Sequence, residues 1–401
     1  VVKIDFNSIA YESPELLKTD LNLHIRTLAA EHGIEAEQGS LQYRFSTLIN
    51  GLAKKYGESV AVLIDEYDKP IIEHLGKGEE ELDIAKRNRD VLKSLFGVLK
   101  DGDVSAALKL VFITGVSKFS RVSIFSELNN LSDLTMNRHY ADMLGYTQNE
   151  LESSFSGHIR QFAEEMGWTP AQVIEHLQVF YNGYRFSEKN LRVYNPFSVL
   201  NALKEMTFKN YWFETGTPTF LVNLLNENNW YLPEIEAIYA SESVFSVYEL
   251  ENLQPESLLF QTGYITICDS DEGLYSFRYP NQEVKTAFLE NLFHSYTKGL
   301  RDASRFILLP RYLRSEDLEA FIETMTAIFA SIPYVLESKR DESYFHTIFY
   351  LMICASGVTA RSEVLNCKGR IDLLVEFPDK LYIIEFKCNQ SAQAGIRQIH
   401  D

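Results

Sequence analysis

Val60-Ala61-Val62-Leu63-Ile64 is an unbroken apolar run that stops at Asp65. A strand with one wet face alternates apolar and polar residues, whereas such a run needs cover on both faces. A second stretch, 108–113, is mostly apolar and stops at Thr114-Gly115, and Val1-Val2-Lys3-Ile4-Asp5-Phe6 reads as a third strand. Helical periodicity fills the intervals, around 16–30, 41–56 and 82–99. Short apolar strands alternating with helices predict a doubly covered parallel sheet, hence an α/β fold for the first third.

At 401 residues the chain is long enough for two or three domains. Residues 146–300 carry helical pattern and many aromatics, with turn chemistry at Asn182-Gly183 and Asn195-Pro196. Helices are expected near 316–332 and 341–356, then a short strand at 363–365, strands at 371–377 and 381–388, and a helix from 392 to 400. A division into 1–145, 146–300 and 301–401 follows. No apolar run reaches the roughly 18 residues of a membrane span, and no basic segment followed by an apolar one marks a signal peptide. The four cysteines are scattered without a CxxC pair, which fits a reducing cytoplasm. Val1 opens straight into an apolar run, as though a segment upstream were missing. The net charge of −18 disfavours diffuse nucleic-acid binding. Lys298, Arg301, Arg305, Arg311 and Arg314 nevertheless cluster ahead of the last segment, compatible with a local track for DNA.

Alternation gives the 371–388 hairpin its faces. Ile371, Leu373, Val375 and Phe377 point one way, Asp372 and Glu376 the other. On the second strand Tyr382, Ile384 and Phe386 oppose Ile383, Glu385 and Lys387. A two-residue Pro378-Asp379 turn pairs Phe377 with Lys380 and sets Asp372 opposite Glu385, with Lys387 diagonal. Registers shifted by two residues keep the faces matched as well. Two converging carboxylates can hold Mg²⁺ or Mn²⁺, with the Phe386 backbone carbonyl as a further oxygen. The metal would acidify a bound water and polarise a phosphodiester, and Lys387 would position the water or offset negative charge. Spacing alone leaves open a solvated face on which Glu385 and Lys387 merely pair.

Gly369-Arg370-Ile371-Asp372 followed by Ile384-Glu385-Phe386-Lys387 resembles the core of PD-(D/E)XK nucleases. The resemblance implies a C-terminal αβββα restriction-endonuclease-like domain, cut short at its C-terminus. Asp372, Glu385 and Lys387 would then be catalytic, and nucleic acid, DNA or RNA, the substrate. It further implies Glu342 as an extra acidic ligand, against the plainer reading of a solvated helix start, and Gln398 as a substrate contact. Glu363 reads as a surface strand residue.

Val60 to Ile64 followed by Asp65-Glu66 reads as a Walker B element, in which the Asp holds a nucleotide's Mg²⁺ and the Glu orients water. Thr114 would sense the γ-phosphate, with Lys118 and Arg121 near the phosphates. The plainer alternatives are an ordinary strand end with Asp65, Glu66 and Asp68 in a solvated loop, or Asp68 paired with Lys69. A phosphate cradle needs GxxxxGK[ST]. The nearest match, Gly97 to Gly102, continues with Asp103-Val104 and fails, so the chain as given should bind ATP poorly.

Leu63-Ile64-Asp65-Glu66-Tyr67-Asp68-Lys69-Pro70, Ile113 to Phe119, Phe125 to Leu131, Tyr181 to Phe186, Tyr194 to Phe197 and Thr215 to Pro218 together resemble a bacterial AAA-ATPase-like family. Its members carry a P-loop upstream and a PD-(D/E)XK domain at the C-terminus. The resemblance implies a truncated P-loop ATPase-like sheet, a helix-rich lid or connector and a nuclease-like end. ATP would serve as cofactor only with the P-loop segment present. The implied activity is metal-dependent phosphodiester hydrolysis gated by the ATPase module, in a soluble protein that could form oligomers. The alternatives are a regulatory or defence-associated ATP-binding protein with a degenerate nuclease domain used for binding, and an interaction scaffold.

Overall fold

The computed structural model describes residues 1–117, 131–214, 219–227, 235, 238–245, 250, 253–296, 303–331, 342–356, 358–365, 370–387, 393 and 396–397. Two compact units emerge. One comprises Val1–Leu134 with Pro218–Asn228 and Ser241–Thr262, the other Thr135–Thr217 with Asn229–Ala240 and Gly263–Asp401. The protein is a mixed α/β structure.

In the first unit β1 (Val2–Asp5), β2 (Val60–Asp65) and β3 (Leu108–Ile113) form a parallel sheet with β2 in the middle. The register Asp5↔Asp65 and Ile64↔Ile113 brings all three carboxyl ends to one edge. Helix α1 (Pro14–Glu31) starts where the Ser13 side chain accepts from the Leu16 N–H, with Pro at the first helical position. It buries Leu17, Leu21, Ile25 and Ala29, one residue per turn. Helix α2 (Leu41–Tyr56) is capped by Ser40 and ends at Gly57 in the left-handed conformation. A third helix, α3 (Glu79–Gly97), buries Val91, Leu92, Leu95 and Phe96. On β2, Val60, Val62 and Ile64 are buried and Ala61 and Leu63 half-buried, whereas on β3 Leu110 is 51% and Phe112 44% exposed. The doubly covered sheet expected from the sequence is therefore realised only over part of its width.

In the second unit Tyr181 and Tyr194 are fully buried at the centre of an aromatic cluster built by helices between 148 and 205. Gly183 is required there. Its φ is +118°, and a Cβ would lie 1.9 Å from the Pro280 carbonyl oxygen. The middle segment also holds a sheet the helical periodicity concealed: β4 (Tyr239–Ser241), β5 (Thr266–Asp271) and β6 (Leu274–Arg278), in the order β4-β6-β5. Its tight β5–β6 connection places Glu272 and Gly273 at positive φ.

The C-terminal part is an antiparallel sheet in the order β7-β8-β9, formed by β7 (Thr359–Leu365), β8 (Arg370–Glu376) and β9 (Leu381–Ile384). It follows the helices α4 (Leu318–Ser331) and α5 (Glu342–Ala355), and α5 buries the run from His346 to Ala355. Strand β7 is longer than expected and β9 shorter. The helix expected over 392–400 lies outside the described residues apart from 393, 396 and 397.

Glu283 is an interior carboxylate, 0% exposed. It accepts from the Ser198 hydroxyl at 2.7 Å and from the Trp212 N–H at 2.9 Å. Burial outweighs these bonds and pushes its pKa up to about 7. Since the unfolded value is lower, its contribution to stability is complete in acid and is lost as pH rises through 7. Glu283→Gln keeps the acceptor without the charge. Thermal unfolding should show a midpoint several degrees above the parent at pH 8.5 and no difference at pH 5.

Candidate functional site

Strands β8 and β9 pair Leu373↔Ile384, Leu374↔Ile383, Val375↔Tyr382 and Glu376↔Leu381, and the Phe377 N–H donates to the Lys380 carbonyl at 2.8 Å. This is the two-residue-turn register, and the next opposed pair is Asp372 and Glu385. The backbone ladder stops one pair short of them, at Ile384. Side chains then replace it. Phe386 N–H donates to Asp372 Oδ2 at 2.9 Å, and Asp372 N–H points at Glu385 Oε1 at 3.4 Å. Each carboxylate thus spends one oxygen on the neighbouring strand's backbone.

Lys387 Nζ lies 3.7 Å from Glu385 Oε2 and donates to the Phe386 carbonyl at 2.8 Å. The Glu385 side chain is only 4% exposed, and its buried Oε2 has no hydrogen-bond partner. Burial, then the adjoining Asp372 carboxyl, raises the Glu385 pKa above the ordinary carboxylate range. The Phe386 ring anchors this stretch from below. His346 of α5 stacks on it at 4.8 Å, and Phe349 meets it edge-on at 5.1 Å. Glu342 opens α5 one turn before His346, but its side chain is outside the described part, as are Gln398 and the side chain of Glu363. Among the described residues no group of three or more His, Cys, Asp and Glu is placed to hold a metal ion.

At the carboxyl edge of the parallel sheet, Thr114 Oγ1 donates to Asp65 Oδ1 at 2.5 Å, and the Thr114 N–H continues the ladder to the Ile64 carbonyl at 2.9 Å. Glu66 follows with φ +55°, a conformation costly for a residue with a side chain. Burial, then the charges of Asp68 and Asp65, raise its pKa. Lys118 and Arg121 lie outside the described residues.

A model of a family described as predicted AAA-ATPase matches residues 1–125, and one of the PD-(D/E)XK nuclease superfamily matches 340–401. A protein of Azotobacter chroococcum mcd 1, described as an uncharacterized protein in the vnfD 5' region, is 36% identical over 380 residues. The alignment covers 92% of this chain and 70% of that protein. The chain belongs to the AAA-ATPase-like family. Its C-terminal part is a PD-(D/E)XK nuclease-superfamily domain. No solved structure matches it.

Within the AAA-ATPase-like module, the loops after β2 and β3 are locked together by a residue that spacing could not single out. Asp68 is 0% exposed and accepts from Ser117 N–H at 2.5 Å, Ser117 Oγ at 2.6 Å and Val116 N–H at 3.1 Å. It is neither solvated nor paired with Lys69, which donates instead to Asn7 Oδ1 at 2.7 Å. Burial raises the Asp68 pKa while these donors oppose the rise. Tyr67 strengthens the lock through its hydroxyl, which donates to the Ser117 carbonyl at 3.0 Å. Gly115 must be glycine, because a Cβ would stand 2.5 Å from Asp68 Oδ1 and 2.7 Å from the Tyr67 ring. In the nuclease-superfamily domain the overlooked residues are His346 and Phe349, whose role depends on a packing partner far along the chain.

Two outcomes test these geometries. Gly115→Ala should cost about 1–3 kcal/mol in chemical unfolding, because overpacking pushes on a buried carboxylate and a ring. Asp372→Ala removes the acceptor of the Phe386 amide, so hydrogen exchange at that amide should accelerate about tenfold or more. Unchanged protection would contradict the carboxylate-for-ladder substitution.

Proposed function

We propose that the chain is a metal-dependent nuclease that hydrolyses phosphodiester bonds of nucleic acid, coupled to an ATPase-like module. The observation that carries this reading is the buried, hydrogen-bond-free Oε2 of Glu385 beside Asp372 and Lys387. The Lys387 ammonium lies 3.7 Å from that oxygen without hydrogen-bonding it, and a buried carboxylate oxygen with no donor is costly unless a cation meets it directly. Asp372 and Glu385 would hold Mg²⁺ or Mn²⁺, with the Phe386 carbonyl as a further oxygen and Glu342 as a candidate from α5. The metal, when bound, would supply Lewis-acid polarisation and an acidified water.

The chain's own groups do the rest. Lys387 is held by the Phe386 carbonyl, within reach of the Glu385 carboxylate, where an ammonium offsets negative charge developing on a phosphoryl oxygen. Asp372 and Glu385 are each held by one oxygen against a backbone amide, which leaves the other oxygen of each for the site. The clamp on the Phe386 ring fixes the backbone between Glu385 and Lys387. Gln398 is proposed as a substrate contact.

The parallel sheet edge supports an ATP-linked role for Asp65, Glu66 and Thr114, and Lys118 is proposed for the same role, provided a P-loop segment is supplied. Its C-terminal neighbour is proposed as a lid or connector over 146–300, with a restriction-endonuclease-like domain over 301–401. We place the protein in the cytoplasm of a bacterial cell.

Cleavage of plasmid and single-stranded DNA and RNA with Mg²⁺ or Mn²⁺ tests the reading. Asp372→Ala should reduce the rate by about two orders of magnitude or more, and chelation should abolish it. Equal cleavage by Asp372→Ala and parent would overturn the assignment. Loss of Mn²⁺ binding by that variant, read by electron paramagnetic resonance, would separate metal capture from chemistry.

A further inference from the structure

Three arginines of the second unit stand together with no counter-ion among the described residues. Tyr184 and Val193 form an antiparallel bridge, so Arg185 and Arg192 occupy the next directly opposed positions. Both guanidinium groups reach one acceptor: the Cys268 carbonyl takes Arg185 Nη1 at 3.3 Å and Arg192 Nη2 at 3.2 Å. Like charges directly opposed across strands are destabilising. A third arginine, Arg278, sits on β6 opposite Thr266. The hydroxyl of that threonine accepts the Arg185 backbone N–H at 2.8 Å, which ties the three positions into one patch.

Their surroundings differ. Arg185 is 4% exposed and donates to the carbonyls of Ser187, Glu188 and Lys189 and to the Ser270 hydroxyl, so its charge is fixed in place. Arg192 is half-buried, and its Nη1 is fully buried with no hydrogen-bond partner. Arg278 is exposed. Among the described residues none of the three pairs with a carboxylate, in a chain with 56 acidic residues against 38 basic ones. Burial, followed by repulsion from Arg278, holds the Arg192 pKa below its usual value. A desolvated guanidinium with an idle donor and two cationic neighbours is an arrangement that an anion relieves.

We propose that Arg192 and Arg278, backed by the fixed charge of Arg185, form a binding site for a phosphate oxyanion, built from residues other than the hairpin carboxylates. The exposed Arg278 offers a planar donor fork and Arg192 its idle Nη1, and three positive charges suit a phosphate better than a single carboxylate. The oxyanion is either free phosphate or a phosphodiester of a polynucleotide backbone. The site needs no metal and does not depend on the hydrolase reading.

Thermal unfolding of the full chain in inorganic phosphate, at ionic strength matched with chloride, tests the site. The parent should gain several degrees, saturating at millimolar phosphate. Arg192→Gln and Arg278→Gln should each lose most of that gain. In chloride alone, Arg192→Gln should unfold no earlier than the parent, since it removes a like-charge contact. If it fails to fold, the exposed Arg278→Gln still decides the matter. Fluorescence anisotropy with a labelled single-stranded DNA oligonucleotide, in EDTA, then identifies the source. Binding weakened at least about fivefold by either variant, and displaced by phosphate, assigns the backbone phosphodiester. Oligonucleotide binding unchanged, with the phosphate gain lost in the variants, assigns free phosphate. No phosphate-dependent gain in the parent, or an equal gain in the variants, overturns the proposal.

Discussion

Between β8 and β9 the chain exchanges one kind of bond for another. Up to Leu373 and Ile384 the strands are held by backbone ladder bonds, and beyond that pair by carboxylates reaching across to amide groups. By the alternation of an antiparallel pair, Asp372 and Glu385 face each other at a position that carries no ladder bond of its own, and the next bonded pair would be Ile371 and Phe386. Stopping short keeps them turned toward each other at partial burial, where their mutual repulsion is strong and a cation is worth most. The ring of Phe386 makes the interruption affordable, because His346 and Phe349 hold by packing what the ladder no longer holds.

The same substitution of side chains for main chain recurs at the parallel sheet. Beyond Ile64 and Ile113, the Asp65–Thr114 contact and the Asp68 carboxylate bind the two connecting loops into one body. Glu66 is left in a strained conformation between them. Strain of this kind persists only where its surroundings over-determine it, and the Asp68 lock supplies that.

How much of this could be read beforehand depended on the range of the signal. The opposition of Asp372 and Glu385 was legible because strand parity has a period of two and Pro378-Asp379 leaves room for a short turn. The parallel strands were legible from their apolar runs. Position 68 looked like a solvated acid because its three donors come from 116 and 117, about fifty residues away in sequence. The connector sheet was hidden for a different reason: Thr266–Asp271 and Leu274–Arg278 are short, the first ends in a polar Asp269-Ser270-Asp271 run, and only Asp271-Glu272-Gly273 marked the turn. Arg192 gave no sign at all, since its opposition to Arg185 is set by the bridge at Tyr184.

The bare stretch of β3 has a consequence of its own. Among the described residues its outer side carries no neighbouring strand, and Leu110 and Phe112 lie open beside that rim. Such a rim is a template on which another extended segment can crystallise out its own hydrogen bonds, whether or not it belongs there. Handled by itself at high concentration, this polypeptide is therefore at risk of self-association and precipitation that its strong negative charge only partly restrains.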